Sequence, residues 1–292
     1  MRITIGYRFL KMGLSVGLGV ALSVALARAQ ESPRVLTEAE LYCTGVATDQ
    51  PVPKDTYVIS GEDSNSKNIF AMTDYVYINR GAEQGVKVGD EFEVVRPMRD
   101  TLSSSWFKWQ AQLLRAMGTM YTDIGQLRVV SVLAKTSIAE IKLGCDSIQR
   151  GDLVRPFTPR PAPALRGTKF DFFAPPSGKK TAMIVTTRHF GVVAGSGAIE
   201  FINLGSSQGV KVGDYFRVFR YQGTHSDALY YVRGTAYKLY GFGSTPVAYQ
   251  WDNLPREILA EGIVLRIGPN SSTVMLTNAR EAAYDGDYAE IE

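Results

Sequence analysis

Two histidines, His189 and His225, and two cysteines, Cys43 and Cys145, supply every imidazole and thiol in the 292 residues. Metal sites and nucleophilic dyads place such groups at short, fixed spacings, as in His-Glu-x-x-His or paired Cys-x-x-Cys, and neither spacing occurs here. A Cys-His nucleophile would compete with a disulfide, and no Gly-x-Ser-x-Gly elbow supports a serine hydrolase. Glu62 with Asp63, and Asp285 with Asp287, have the composition of an acid-base pair, but catalytic pairs need burial, and solvated turn carboxylates are the preferred reading. The residues therefore point to no enzyme, no metal and no cofactor.

Cys43 and Cys145 have a different chemistry open to them. In an oxidising compartment they pair, and a crosslink closing a loop of about 100 residues constrains the unfolded chain by roughly 4 to 5 kcal/mol. Two buried free thiols are the alternative. The pair is expected to pin the segment around Leu41-Tyr42-Cys43, which has little apolar surface of its own, across the first half of the chain.

Aromatic residues supply the remaining candidates. Ser103-Ser104-Ser105 precede a stretch in which Trp106, Trp109, Leu113 and Met117 fall near one face of a helix. That face either recruits a partner or plugs the end of a barrel, and the plug is preferred because an exposed stripe invites aggregation. Farther on, Tyr230, Tyr231, Tyr237, Tyr240, Phe242, Tyr249 and Trp251 lie among glycines and polar residues, a composition suited to protein interfaces and to stacking on sugar rings. An ordinary long loop folded on its barrel is the alternative.

These candidates must be positioned by something, and the chain contains a duplication that does so. Ile78 to Arg96 returns as Ile202 to Arg220, with about two-thirds of the positions identical and no gap. A fainter match aligns Thr136 to Val154 with Ser271 to Ala289 on a closing Gly-Asp pair. Phe92 and Val94, like Phe216 and Val218, alternate with polar or less apolar neighbours, the period of a strand with one buried face. In the Gly-Val-Lys-Val-Gly-Asp element, Gly85, Gly89, Gly209 and Gly213 suit positive φ at a sharp turn. Asp90 and Asp214 suit acceptance of backbone N–H bonds, and Val86 and Val88 are expected to cover the barrel interior. A phosphate-binding loop would lead into a helix, whereas this element leads into a strand.

The expected fold class is thus mainly β: two tandem small β-barrel-like modules with variable inserts, one of them with helical character. The expected divisions are a signal peptide at 1–29, a lead-in at 30–53, module 1 at 54–157, a Pro-rich linker at 158–180 and module 2 at 181–292. The first division rests on Arg2, Arg8 and Lys11, an apolar run from about Met12 to Leu26, and Ala27-Arg28-Ala29 at the cleavage site. No later segment is apolar enough to span a bilayer, so no integral membrane span is expected after cleavage. Without the four basic residues of the leader, the net charge of +3 becomes 28 basic against 29 acidic residues, too balanced for a nucleic-acid binder.

The Val-Tyr-Ile-Asn and Phe-Ile-Asn strands, Gly81 or Gly205, the Gly-Val-Lys-Val-Gly-Asp turn, the Phe-x-Val strand and the closing Gly-Asp resemble a known family. It is the barrel-like C-terminal domain of flagellar assembly protein T and related modules of bacterial envelope proteins, some accompanied by peptidoglycan-binding LysM domains. The resemblance covers the framework of both halves and neither insert, and no LysM domain is recognisable. It implies a periplasmic or cell-envelope, non-catalytic role in assembly. The expected function is an exported scaffold or assembly factor that binds envelope proteins through the inserts. The alternative is a module that binds cell-wall glycan or peptidoglycan through the aromatics of the second insert.

Overall fold

A computed structural model describes residues 34–98, 105–167, 171–221 and 255–292. The expected signal peptide lies outside these residues. The chain enters on a short helix, α1 (Glu38–Tyr42), started by a capping box in which the Thr37 hydroxyl accepts the Glu40 N–H while the Glu40 carboxylate accepts the Thr37 N–H. Strand β1 (Val46–Thr48) follows.

Module 1 then lays down β2 (Val58–Gly61), β3 (Ile69–Phe70), β4 (Tyr75–Ile78), β5 (Glu91–Pro97), helix α2 (Gln110–Met117), β6 (Thr119–Val132), β7 (Ser137–Gly144), β8 (Ile148–Gln149) and β9 (Leu153–Pro156). Its main sheet runs β2-β4-β7-β6-β5-β9, with β1 added alongside β6. A bridge between Tyr57 and Leu153, with Val58 N–H donating to Asp152 O at 2.9 Å, brings β9 back to β2. Module 2 contains β10 (Thr181–Thr187), β11 (Val193–Ala194), β12 (Ile199–Ile202), β13 (Tyr215–Arg220), β14 (Glu257–Ile267), β15 (Ser272–Ala279), β16 (Ala283–Tyr284) and β17 (Tyr288–Ile291). Six of these close a barrel in the order β10-β12-β15-β14-β13-β17, the same ring strand for strand. The small pair β3-β8 likewise has its counterpart in β11-β16. The chain is mainly β and duplicated, as its sequence predicts.

The repeated letters are those on which the ring depends. Asn79 accepts the Tyr57 N–H at 2.7 Å, and Asn203 accepts the Met183 N–H at 2.6 Å, tying each first strand to the second. Gly81 and Gly205 lie where a Cβ would come within 2.4 and 2.3 Å of the carbonyl oxygens of Leu133 and Gly268, so only glycine fits. In the turn that follows, Gly85, Gly89, Gly209 and Gly213 all have φ between 81° and 93°, the left-handed region natural to glycine. Asp90 accepts the Lys87 N–H at 2.9 Å and Asp214 the Lys211 N–H at 2.8 Å. Val86 enters the interior cluster, but Val88 does not: it is 66% exposed, because the turn reverses between the two. The closing Gly-Asp also has a definite task. Asp152 takes Arg96 in a two-toothed ion pair at 2.7 Å, and Asp287 takes Arg220 in the same way.

Each barrel has its own interior, around Phe70, Ile78, Phe92 and Leu127 in module 1 and around Ile184, Ile202, Phe216 and Val264 in module 2. Between these interiors lie two further apolar clusters on the outside of module 2. One joins Leu36, Leu41 and Leu165 to Ile199, Tyr215, Leu265 and Met275. The other joins Ala47, Met117 and Met120 to Val185 and Phe201. The lead-in, whose sequence shows little apolar surface, is therefore well anchored by apolar contacts, because Leu36, Leu41 and Ala47 all pack on module 2.

Candidate functional site

The polar junction between the modules centres on Asp123 of β6, whose side chain is 4% exposed. It accepts the backbone N–H groups of Thr44 and Gly45, both terminal nitrogens of Arg160 at 3.1 Å, and Nη1 of Arg266 at 3.0 Å. Burial works against its ionisation, but Arg266, Arg160 and the Gly45 N–H outweigh burial and hold the carboxyl below its ordinary range. Arg160 comes from the proline-rich connection and also pairs with Glu93 at 2.6 Å. One carboxylate thus ties module 1, the connection, the lead-in backbone and module 2 together.

Cys43 and Cys145 form a disulfide beside this junction, with their Cα atoms 5.3 Å apart. Arg188 of module 2 donates to the carbonyl oxygens of both cysteines, at 2.6 and 3.4 Å. His189 and Phe190, the next two residues, have φ of 65° and 55°, a strained turn for residues with side chains. The turn sets Arg188 on the disulfide carbonyls and Phe190 against the cluster containing Met117 and Phe201. Burial, then the charge of Arg188, lowers the His189 pKa. His225 lies outside the described residues, where no structure bears on it.

The first insert differs from its sequence reading. Its helix begins at Gln110, and Trp109 is the residue before it, left-handed at φ 79°. Trp106 is half-buried, its backbone N–H donating to the Gln110 side-chain oxygen at 2.8 Å, while Trp109 is 61% exposed with the Lys108 ammonium 4.7 Å over its ring. The two tryptophans therefore do not form one stripe with Leu113 and Met117. The apolar side of the helix covers module 2, where Gln110 Nε2 donates to Val185 O and to Asp285, both at 2.9 Å. Phe107, fully buried, lies over Gly286. Tyr230, Tyr231, Tyr237, Tyr240, Tyr249 and Trp251 all lie outside the described residues.

One string, Gly205-Ser206-Ser207-Gln208-Gly209, does carry the letters of a nucleophile elbow, contrary to the expectation that none is present. The structure makes it a 3-10 turn between two strands, matched in module 1 by Ala82–Gln84, with Ser207 exposed and no helix behind it. Among the described residues, no group of three or more His, Cys, Asp or Glu is arranged to hold a metal.

Glu200 stands apart. Its neighbours Ile199 and Phe201 belong to the outer clusters, so Glu200 faces the barrel interior, where module 1 has Val76. Neither of its carboxylate oxygens has a hydrogen-bond partner among the described residues. Burial first, then the charges of Asp285 and Asp287, push its pKa well above the ordinary value of 4.5. The shift favours the protonated form in the fold, whereas the unfolded side chain ionises near its ordinary value, so its contribution to stability falls as pH rises above about 4.5. Glu200→Gln should raise unfolding stability at neutral pH by on the order of 2 kcal/mol and flatten that decline. Urea titrations at several pH values check this, and a loss of stability at pH 7 would show that the carboxylate has a buried partner.

The surface that the sequence reading missed is the outer face of module 1. Val58 pairs with Ile78 as Ile184 pairs with Ile202, so Ile59, Tyr75 and Tyr77 correspond to Val185, Ile199 and Phe201. Those three are buried under the lead-in and the first insert, whereas Ile59 and Tyr75 are 39% and 41% exposed and Tyr77 is half-buried. Ile59, Tyr77, Leu133, Thr136 and Ile138 line a shallow groove of about 230 Å³ there. The signal lay in the strand Tyr75-Val76-Tyr77-Ile78, which is apolar or aromatic at both parities and so has two faces suited to burial.

In comparisons with protein-family models and with curated proteins, nothing matches the chain. No helix among the described residues is long and apolar enough to cross a membrane.

Proposed function

We propose that the protein is a non-enzymatic scaffold or assembly factor, exported to the periplasm or cell envelope, that binds other envelope proteins. The observation that carries this reading is the open apolar face of module 1 at Ile59, Tyr75, Tyr77, Leu133 and Ile138, whose counterpart in module 2 is closed by protein. Contiguous apolar surface of this kind marks a protein contact. Export is supported by the Cys43–Cys145 disulfide, since such bonds persist outside reducing compartments, and by the leader-like first 29 residues. The repeat's resemblance to the flagellar assembly protein T module supports a role in assembly.

Pull-down of the mature protein from envelope extracts, run beside sedimentation with purified peptidoglycan and polysaccharide, tests the proposal. Tyr77→Glu should reduce co-isolated protein by roughly ten-fold, about 1.4 kcal/mol of binding, without altering the unfolding midpoint. Firm retention on purified glycan with no protein partner would replace the scaffold by the glycan-binding alternative.

A further inference from the structure

The duplication suggests what covers the open face. In module 2, the positions Val185 and Phe201 are covered by the side chains of the insert that module 1 carries between β5 and β6. Module 2 carries its own insert at the same place in the repeat, between β13 and β14, and its residues 222–254 are rich in Tyr and include Trp251. The corresponding positions of module 1, Ile59 and Tyr77, are open. We propose that the occupant is a second copy of this chain, whose module 2 seats on module 1 of the first as module 1 seats on module 2 within one chain. The inference rests on reading the face as protein-binding, and it names the partner.

The match between the two faces is incomplete in an informative way. In module 2, Gly268 lets the Ala47 carbonyl approach, with a Cβ there meeting it at 2.2 Å, and Ser271 and Thr273 donate to the carbonyls of Ala47 and Gly45. The corresponding residues of module 1 are Leu133, Thr136 and Ile138, since Ser206 N–H donates to Gly268 O as Ala82 N–H donates to Leu133 O. Leu133 is 55% exposed. Module 1 keeps a hydroxyl at Thr136 but offers the apolar Leu133 and Ile138 where module 2 has Gly268 and Thr273, so its occupant docks through side chains. The aromatic composition of residues 222–254 suits that requirement. Such a contact is heterologous, with different surfaces meeting, and it leaves both ends of a pair free to add further copies.

Sedimentation velocity of the purified, oxidised mature chain at concentrations up to about 100 μM tests this. The weight-average sedimentation coefficient should rise with concentration and continue beyond the value of a dimer. Tyr77→Glu and, separately, Ile59→Lys should each weaken association at least about ten-fold while leaving the unfolding midpoint in place. A chain that stays monomeric throughout, that stops at a dimer, or that associates equally well with both substitutions overturns the inference. A photo-crosslinker at position 77 distinguishes the two levels of failure in intact envelopes. Capture of a different protein by a chain that is monomeric when pure overturns self-association and leaves the scaffold reading standing.

Discussion

Asp123→Asn is expected to destabilise the folded chain by roughly 3 to 5 kcal/mol, the range for removing one partner of a buried ion pair. The substitution keeps the shape of the side chain and removes its charge. Arg160 retains Glu93, but Arg266, whose side chain is 14% exposed, has no other carboxylate within 4 Å among the described residues. The asparagine amide also places a donor where Thr44, Gly45 and the two guanidiniums already donate. Because the folded pKa of Asp123 is depressed, its contribution is fully present above the unfolded value near 3.8 and is lost as pH falls through and below it. The variant should therefore lose most stability at neutral pH and show a flatter acid limb. Urea unfolding at pH 7 and pH 3 checks both, and a difference under about 1 kcal/mol at pH 7 would mean that the junction is solvated like a surface pair.

Reduction of Cys43–Cys145 is expected to have an effect of similar size. The bridge spans 102 residues, and closing a loop of that length is worth about 4 to 5 kcal/mol in the chain-entropy picture. From the sequence, this loss belongs to module 1 alone, since module 2 has no cysteine. The structure widens it to module 2. The bridge holds α1 and β1, and these cover Ile199, Phe201, Leu265 and Met275, while Arg188 of module 2 bonds the carbonyls of both cysteines. Protein purified oxidised should show no free thiol in guanidinium, and reductant should lower the unfolding of both barrels together. Two titratable thiols, or a module 2 transition indifferent to reductant, would contradict this.

The duplicated framework was legible because its residues act locally. Asn79 and Asp90 satisfy backbone N–H groups within their own module, Gly81 admits a close carbonyl and Gly85 takes a positive φ, and the same constraints recur at Asn203, Asp214, Gly205 and Gly209. What joins the halves was not legible for the converse reason. Asp123 corresponds to Ile258 in the second copy, and its partners Arg160 and Arg266 lie 37 and 143 residues away, so neither periodicity nor repetition marks them. The first insert shows the same limit. Its apolar residues announced a covered face, but that they cover the other barrel depends on a packing between modules that no local pattern encodes. Tyr75 and Tyr77 were readable as a two-faced strand. Their exposure became informative only when Ile199 and Phe201 were seen buried.

Hydroxyl-radical footprinting tests most directly whether the open face of module 1 is where this protein meets its partner. Tyr75 and Tyr77 should be labelled readily in dilute purified protein and protected in intact envelopes, while Tyr215, buried within the chain itself, should label weakly in both. Equal labelling of Tyr75 and Tyr77 in the two settings would contradict the account.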